Sequence, residues 1–279
     1  MKIINYLYKE REEIGIYTPK GIIRLEKFKD MIDFIKNAKE EDFEDIKKST
    51  NIIDKSKVKI ISPITRPIHD IICAGKNYRD HILEMDDFID MENFKLSYFS
   101  KRASYILGDG EEIKGRFDLD DNIDYESELA IIIGKEGKNI KREEVIDYIF
   151  GFSIFNDLSS RKIQMAHNQW FLGKSIDNYS IMGPWIVTKD EFTFPLEINI
   201  QSKVNGEIRQ DSNTKHMIQG IEDIIVELSS HITLEPGDII STGTPAGVGM
   251  GFTPPKYLKE GDTVECIVEG IGVLKNKII

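Results

Sequence analysis

Two cysteines in 279 residues, Cys73 and Cys266, exclude a disulfide framework, and the expectation is a reduced, cytoplasmic protein. No apolar run exceeds the five residues from Leu129 to Ile133, far short of a bilayer span, and Met1 to Leu7 lacks the continuous apolar stretch of a signal peptide. Basic residues are in deficit: 37 Lys and Arg face 48 Asp and Glu, a formal charge of -11. That balance argues against nucleic acid or an anionic membrane as the main partner. An anionic substrate would therefore need a local group of cations. Internal repeats and low-complexity segments are absent. Gly243-Thr244-Pro245-Ala246-Gly247-Val248-Gly249 lacks the Gly-Lys-Ser/Thr end and the following helix of a phosphate loop, and Gly173-Lys174-Ser175 lacks the upstream glycine. Backbone closely approaching a ligand is the better reading of so many glycines. His69, His167, His216 and His231 show no ligand-like spacing and are expected at the surface or at caps, while Trp170 and Trp185 are expected in the core or a pocket wall.

What is present is an ordinary folded chain, 40% apolar and 9% aromatic. Residues 1–66 read as a small N-terminal domain with a hairpin around Thr18-Pro19-Lys20-Gly21 and a helix over Phe28 to Lys36. It is expected to act as a structural cap or a wall over the site. Pro63 and Pro67 punctuate the join, and 67–279 form the larger domain. There, short strands are expected at Ile71 to Ala74, Ile123 to Ile133 and Gly151 to Asn156. Asn205-Gly206 marks a two-residue hairpin turn, and Thr214 to Ser230 has helical spacing. A further strand starts at Asp238, and Val264, Cys266 and Val268 alternate with Thr263, Glu265 and Ile267. Strands outnumber helices without the strict alternation of a doubly wound sheet, so the fold class is α+β, mostly β.

The informative cluster is Asp124-Tyr125-Glu126-Ser127-Glu128, running into Leu129 to Ile133. In a continuous strand Asp124, Glu126 and Glu128 share one face, and that face continues as Ala130 and Ile132. Carboxylates so close repel and are costly to desolvate unless a cation compensates. The alternative is a frayed strand end whose acids are solvated. Asp157, at the end of a second apolar strand, favours the cation. Oxygen-only ligation selects Mg²⁺, Mn²⁺ or Ca²⁺ over zinc. Separately, His81 and Glu84 are three residues apart, so on a helical turn a carboxylate would orient the imidazole as a general base; a surface ion pair is the alternative.

Taken with its neighbours, this set resembles the fumarylacetoacetate hydrolase family, in its acylpyruvase-like branch. The resemblance runs from about Pro67 to Ile279. It is carried by Gly75-Lys76-Asn77-Tyr78 through His81 and Glu84, Asp124 to Leu129, and Asn156-Asp157-Leu158-Ser159-Ser160-Arg161. Gln169-Trp170, Gly173-Lys174-Ser175, Gly183-Pro184-Trp185, Pro236-Gly237-Asp238, Gly243 to Gly249 and Gly270-Ile271-Gly272 follow in the same order. It implies a mixed β-roll and a homodimer. Glu126, Glu128 and Asp157 would be ligands to Mg²⁺ or Mn²⁺, with Ca²⁺ as a substitute in a crystal. His81, Glu84 and Lys174 would be catalytic, and Arg161, Gln164 and Thr244 would bind a small anionic 2-oxo acid. The implied activity is hydrolysis of a carbon–carbon bond in an acylpyruvate, with Arg161 and Lys174 neutralising the substrate. Oxaloacetate decarboxylation or tautomerisation, or isomerisation of an unsaturated 2-oxo diacid, is the alternative, and a non-catalytic metal-binding scaffold a third reading. Ser127, Ser160, Lys162, Ser100-Lys101-Arg102-Ala103 and Ile176 depart from the family pattern.

Overall fold

A computed structural model describes residues 1–85 and 94–279. The N-terminal segment contributes β1 (Lys2–Tyr8), β2 (Arg11–Thr18), β3 (Gly21–Arg24), α1 (Met31–Asn37), α2 (Glu40–Lys48), β4 (Ile52–Ile53) and β5 (Lys59–Ile61). Next come β6 (Ile71–Gly75), α3 (Arg79–Met85), β7 (Ser97–Lys101), β8 (Glu112–Ile113), β9 (Ile123–Asp124) and β10 (Ser127–Ile133). After α4 (Val145–Tyr148) lie β11 (Ile149–Asp157), β12 (Ser159–Ser160), α5 (Arg161–Ala166), α6 (Phe171–Lys174) and β13 (Ser180–Thr188). The chain ends with β14 (Asn199–Val204), β15 (Glu207–Asn213), α7 (Ile221–His231), β16 (Ile239–Ser241), β17 (Thr263–Val268) and β18 (Gly272–Ile278).

Among the described residues, eleven strands form one mixed sheet in the order β4-β3-β2-β1-β13-β11-β10-β16-β6-β7, with β5 also on β1. Five form a second, β15-β14-β17-β18-β8, and β12 pairs β9. This is the expected mostly-β α+β fold. The N-terminal strands continue the large sheet: β1 joins β13 through Lys2↔Val187 and Ile3↔Ile186.

Strand β10 shows why the sheet is buried on both faces. Leu129, Ile131 and Ile133 belong to a core shared with α7 and the second sheet, whereas Ala130 and Ile132 pack with Met31, Phe34 and Ile35 of α1. A strand covered on both sides needs a continuous apolar run rather than alternation. The one-sided pattern of β17 buries only Val264, Cys266 and Val268. Asn205 and Gly206 adopt positive φ and turn β14 into β15, the geometry that two-residue hairpins require. The expected helix over Thr214 to Ser230 is interrupted; Gly220 caps α7 and a separate 3₁₀ turn covers Thr214–His216. Cys73 and Cys266 are buried and unpaired. Among the described residues no helix is long and apolar enough to cross a membrane.

Candidate active site

The expected strand Ile123 to Ile133 breaks at Tyr125 and Glu126. Strand β9 ends at Asp124, where it pairs with Ser159 of β12, and β10 begins at Ser127 opposite Asn156 of β11. The break undoes the simple alternation. Glu126 and Glu128 reach the same site, but Asp124 turns elsewhere and accepts hydrogen bonds from Gly249 N–H (2.6 Å), Met250 N–H (3.0 Å) and Arg161 Nε (2.9 Å). Asp157, at the end of β11, completes the group. Glu126, Glu128 and Asp157 are all buried, and one oxygen from each lies within 4.8 Å of the others.

Three buried cations surround these acids. Lys174 Nζ lies 2.6 Å from Glu126 Oε2 and 2.6 Å from Asp157 Oδ2. Arg161 Nη2 lies 2.7 Å from Glu126 Oε1. Lys101 Nζ lies 2.5 Å from Asp157 Oδ1 and donates to Leu158 O at 2.8 Å. Among the described residues no cation forms an ion pair with Glu128; it accepts from Ser241 Oγ and from Gly243 N–H at 3.0 Å. Burial first, then Asp157 and Glu126, pushes the Glu128 carboxyl up to about 8. Burial would also raise Glu126, but Lys174, Arg161 and His81 outweigh it and hold that carboxyl below the ordinary range. Burial pulls the Lys101 ammonium down while Asp157 opposes it, and contact with a carboxylate keeps the charged form the better fit.

Counting charges decides what the site can accept. Asp124, Glu126, Glu128 and Asp157 against Lys101, Arg161 and Lys174 leave one carboxyl without a matching cation, Glu128, which holds a proton at neutral pH until a cation takes its place. A hard divalent ion on three carboxylate oxygens fits this donor set, and no His or Cys belongs to the cluster.

Beside the carboxylates lies a cavity of about 320 Å³. His81, Glu126, Glu128, Arg161, Gln164, Lys174 and Thr244 line it, seven of the nine expected residues. Glu84 stands behind His81, with Oε1 2.7 Å from Nδ1, so Nε2 remains for a ligand. Asp157 is fully buried behind Lys174. Helices α5 and α6 bring Arg161, Gln164 and Lys174 together because Gly173 lies against Gln164: a Cβ there would meet the Gln164 backbone nitrogen at 2.6 Å. Thr244 donates to Ser127 O at 3.1 Å and accepts from Gln210 at 2.6 Å. Met85, Phe99, Trp170 and Met250 supply an apolar wall.

Arg161 and Lys174 are each engaged with two carboxylates of the site. Lys162, a departure from the family pattern, has a side chain 69% exposed and points away from the cluster. Among the described residues, none of the first 66 lines the cavity, so that segment buttresses the sheet rather than walling the site. His69 pairs with Asp238, while His167 and His231 contact helix-end carbonyls. Lys101 and the true partners of Asp124 escape a reading by sequence spacing. Strand β7, Ser97–Lys101, mixes polar and apolar residues and is at most partly buried up to its last residue, so it gives no sequence signal that Lys101 ends fully buried.

The family model for the fumarylacetoacetate (FAA) hydrolase C-terminal domain matches residues 70–279. The oxaloacetate tautomerase YisK of Bacillus subtilis is 44% identical over 223 residues, 80% of this chain and 74% of that protein. Among solved structures, a fumarylacetoacetate hydrolase from Exiguobacterium antarcticum superposes with a TM-score of 0.85 at 36% identity, covering 100% of this chain and 99% of the other. A 5-carboxymethyl-2-hydroxymuconate delta-isomerase from Mycobacterium smegmatis superposes at 0.79 with 26% identity, again over 100% and 99%.

Proposed function

The chain belongs to the fumarylacetoacetate hydrolase family, and from that premise we propose that it interconverts the keto and enol forms of a small 2-oxo diacid such as oxaloacetate. The observation that carries this reading is one cavity in which a carboxylate-oriented imidazole stands beside a buried all-carboxylate cation site. Tautomerisation needs one group to move a proton between carbon and oxygen. His81 is suited to it. Glu84 accepts from Nδ1–H, leaving Nε2 basic; Nε2 takes a proton from C3 of the keto acid, the C3–H electron pair becomes the C2–C3 double bond, and the proton returns on the C2 oxygen. A divalent ion held by Glu126, Glu128 and Asp157 supplies Lewis acidity that favours negative charge on the substrate oxygens. Lys174 and Arg161 keep Glu126 ionised and in place, Gln164 offers its amide N–H groups at the cavity wall, and Thr244, its proton given to Ser127 O, adds a hydroxyl oxygen there. A cavity of about 320 Å³ suits a small acid. The tautomerase relative supports the same chemistry.

Hydrolysis of an acylpyruvate, the activity that the family resemblance implies, uses the same groups. There His81 would deprotonate water, which adds to the distal carbonyl before the carbon–carbon bond breaks and the pyruvate enolate takes up a proton. The structural neighbour described as a fumarylacetoacetate hydrolase favours this second reading. The test is to give Mg²⁺-loaded protein oxaloacetate enol and, separately, acylpyruvates, following enol absorbance and product mass. Enol decay well above the uncatalysed rate, with acylpyruvate left intact, supports tautomerisation; rapid cleavage with no effect on the enol refutes it. In His81→Ala, either proton-transfer reaction should fall about 10²–10⁴-fold.

A further inference from the structure

We propose that the loop Gly247 to Gly251 is a positioning element for the catalytic pair, holding Glu84, and through Glu84 the tautomer of His81, by reference to the buried carboxylate Asp124. The proposal rests on the reading of His81 as the base. Glu84 uses both oxygens: Oε1 meets His81 Nδ1 at 2.7 Å, and Oε2 accepts from Gly247 N–H at 2.8 Å. The loop also presses on Glu84 from its other end. A Cβ at Gly251 would stand 2.2 Å from Glu84 Oε2 and 2.6 Å from its carboxyl carbon, so only glycine lets the carboxylate stay on the imidazole.

The loop is itself pinned. Asp124 Oδ1 accepts from Gly249 N–H at 2.6 Å and Oδ2 from Met250 N–H at 3.0 Å. Tyr125 Oη donates to Gly247 O at 2.9 Å. Behind Gly247 lies the Arg209 carbonyl, 1.9 Å from where a Cβ would be, so the loop cannot retreat in that direction. Asp124 also takes Arg161 Nε at 2.9 Å, and Arg161 holds Glu126. One buried carboxylate thus sets the loop that holds Glu84 of the pair and the arginine that holds Glu126 of the cation site. This accounts for an acid next to the cluster that belongs to no ligand set.

The test reads the imidazole rather than turnover. Long-range ¹H–¹⁵N correlation on Mg²⁺-loaded, histidine-labelled protein, taken about two units above the ordinary imidazole pKa, reports which ring nitrogen carries hydrogen. His81→Ala assigns the resonance. Wild type is expected to show the Nδ1–H form at His81. Gly251→Ala should move His81 to a mixed or Nε2–H form, with kcat down about tenfold or more, inside the range a positioned base contributes, KM nearly constant and Mn²⁺ affinity unchanged. Gly220→Ala, where an added methyl meets nothing closer than 3.5 Å, should leave the tautomer alone. Asp124→Asn, attacking the loop's anchor, should give the same tautomer change and also weaken Mn²⁺ binding; it carries the test if Gly251→Ala does not fold. A wild-type tautomer retained in the folded variants overturns the proposal, as does a wild-type His81 that is not Nδ1–H. Because the readout needs no substrate, failure of the tautomerase reading leaves it intact.

Discussion

Replacing Lys101 with methionine removes one ammonium from a fully buried pair while keeping most of the side-chain volume. Lys101 and Asp157 are both 0% exposed, with Nζ 2.5 Å from Oδ1, and the same nitrogen satisfies Leu158 O. Removing one partner of a buried pair costs about 3–5 kcal/mol, because the remaining charge stays desolvated. Asp157 keeps Lys174 on its other oxygen, which places the cost at the lower end, about 3 kcal/mol. For a chain of this size each kcal/mol lowers the melting temperature by about 2–4 °C, so metal-free Lys101→Met should melt about 6–12 °C below wild type. Saturating Mg²⁺ should narrow that gap, since a divalent ion supplies charge where the ammonium was lost. By linkage, the narrowing is the same statement as tighter Mg²⁺ binding by the folded variant. Differential scanning calorimetry in EDTA and in Mg²⁺, with a calorimetric titration of the ion, measures both. A metal-free midpoint within about 2 °C of wild type would show that the pair carries little energy and refute the reasoning.

Chelation should abolish activity and Mg²⁺ or Mn²⁺ restore it, because the donor set is all oxygen; full turnover by metal-free protein, or stoichiometric zinc, would contradict this. Ion uptake should release protons. With the Glu128 carboxyl at about 8 in the metal-free protein and an ordinary value of 4.5 when unfolded, the folded state holds the extra proton between those values. The metal-free protein therefore loses stability as pH rises through that window, while ion affinity rises with pH and levels off above it. Titrations at pH 7 in buffers of different ionisation enthalpy should show about one proton released per ion, and none would place the proton elsewhere. The protein is expected to be a homodimer, an expectation from the family alone; light scattering returning 32.0 kDa at micromolar concentration would decide against it.

Much of the sheet was legible because its strands announce themselves locally. Leu129 to Ile133 reads as part of a strand from its short apolar run, though its burial on both faces comes from the tertiary packing, and the alternation in β17 matches a strand buried on a single side. Asn205-Gly206 declared its turn. The turn between β1 and β2 did not: Lys9 and Glu10 both adopt positive φ, a conformation that neither residue type advertises. Helix α7 begins later than the apolar spacing suggested because Gly220 N–H bonds to Asp223, a capping arrangement that periodicity alone cannot see. Continuation of the large sheet through β1 to β4 was hidden for a different reason. Pairing between Ile3 and Ile186 joins residues far apart in sequence, and nothing local encodes it.

The site divides along the same line between local and long-range information. Glu126, Glu128 and Asp157 could be read as one group because each lies at the end of an apolar strand and the family resemblance names all three, and the structure joins them by pairing Ser127 with Asn156. The same reading put Asp124 on the wrong side, since it assumed an unbroken strand through Tyr125, and two residues of non-strand backbone are enough to redirect a side chain. The cations were harder. Arg161 and Lys174 entered through family resemblance as groups for a substrate's charge, and nothing in their spacing said that each would be held by two carboxylates. Lys101 lies 56 residues from Asp157, and no pattern relates them. These three lysine and arginine side chains are buried only because of partners the fold delivers from elsewhere. Their energetics therefore belong to tertiary structure, whereas Glu126 and Glu128, two residues apart at the start of one apolar run, state their need for positive charge in the sequence itself.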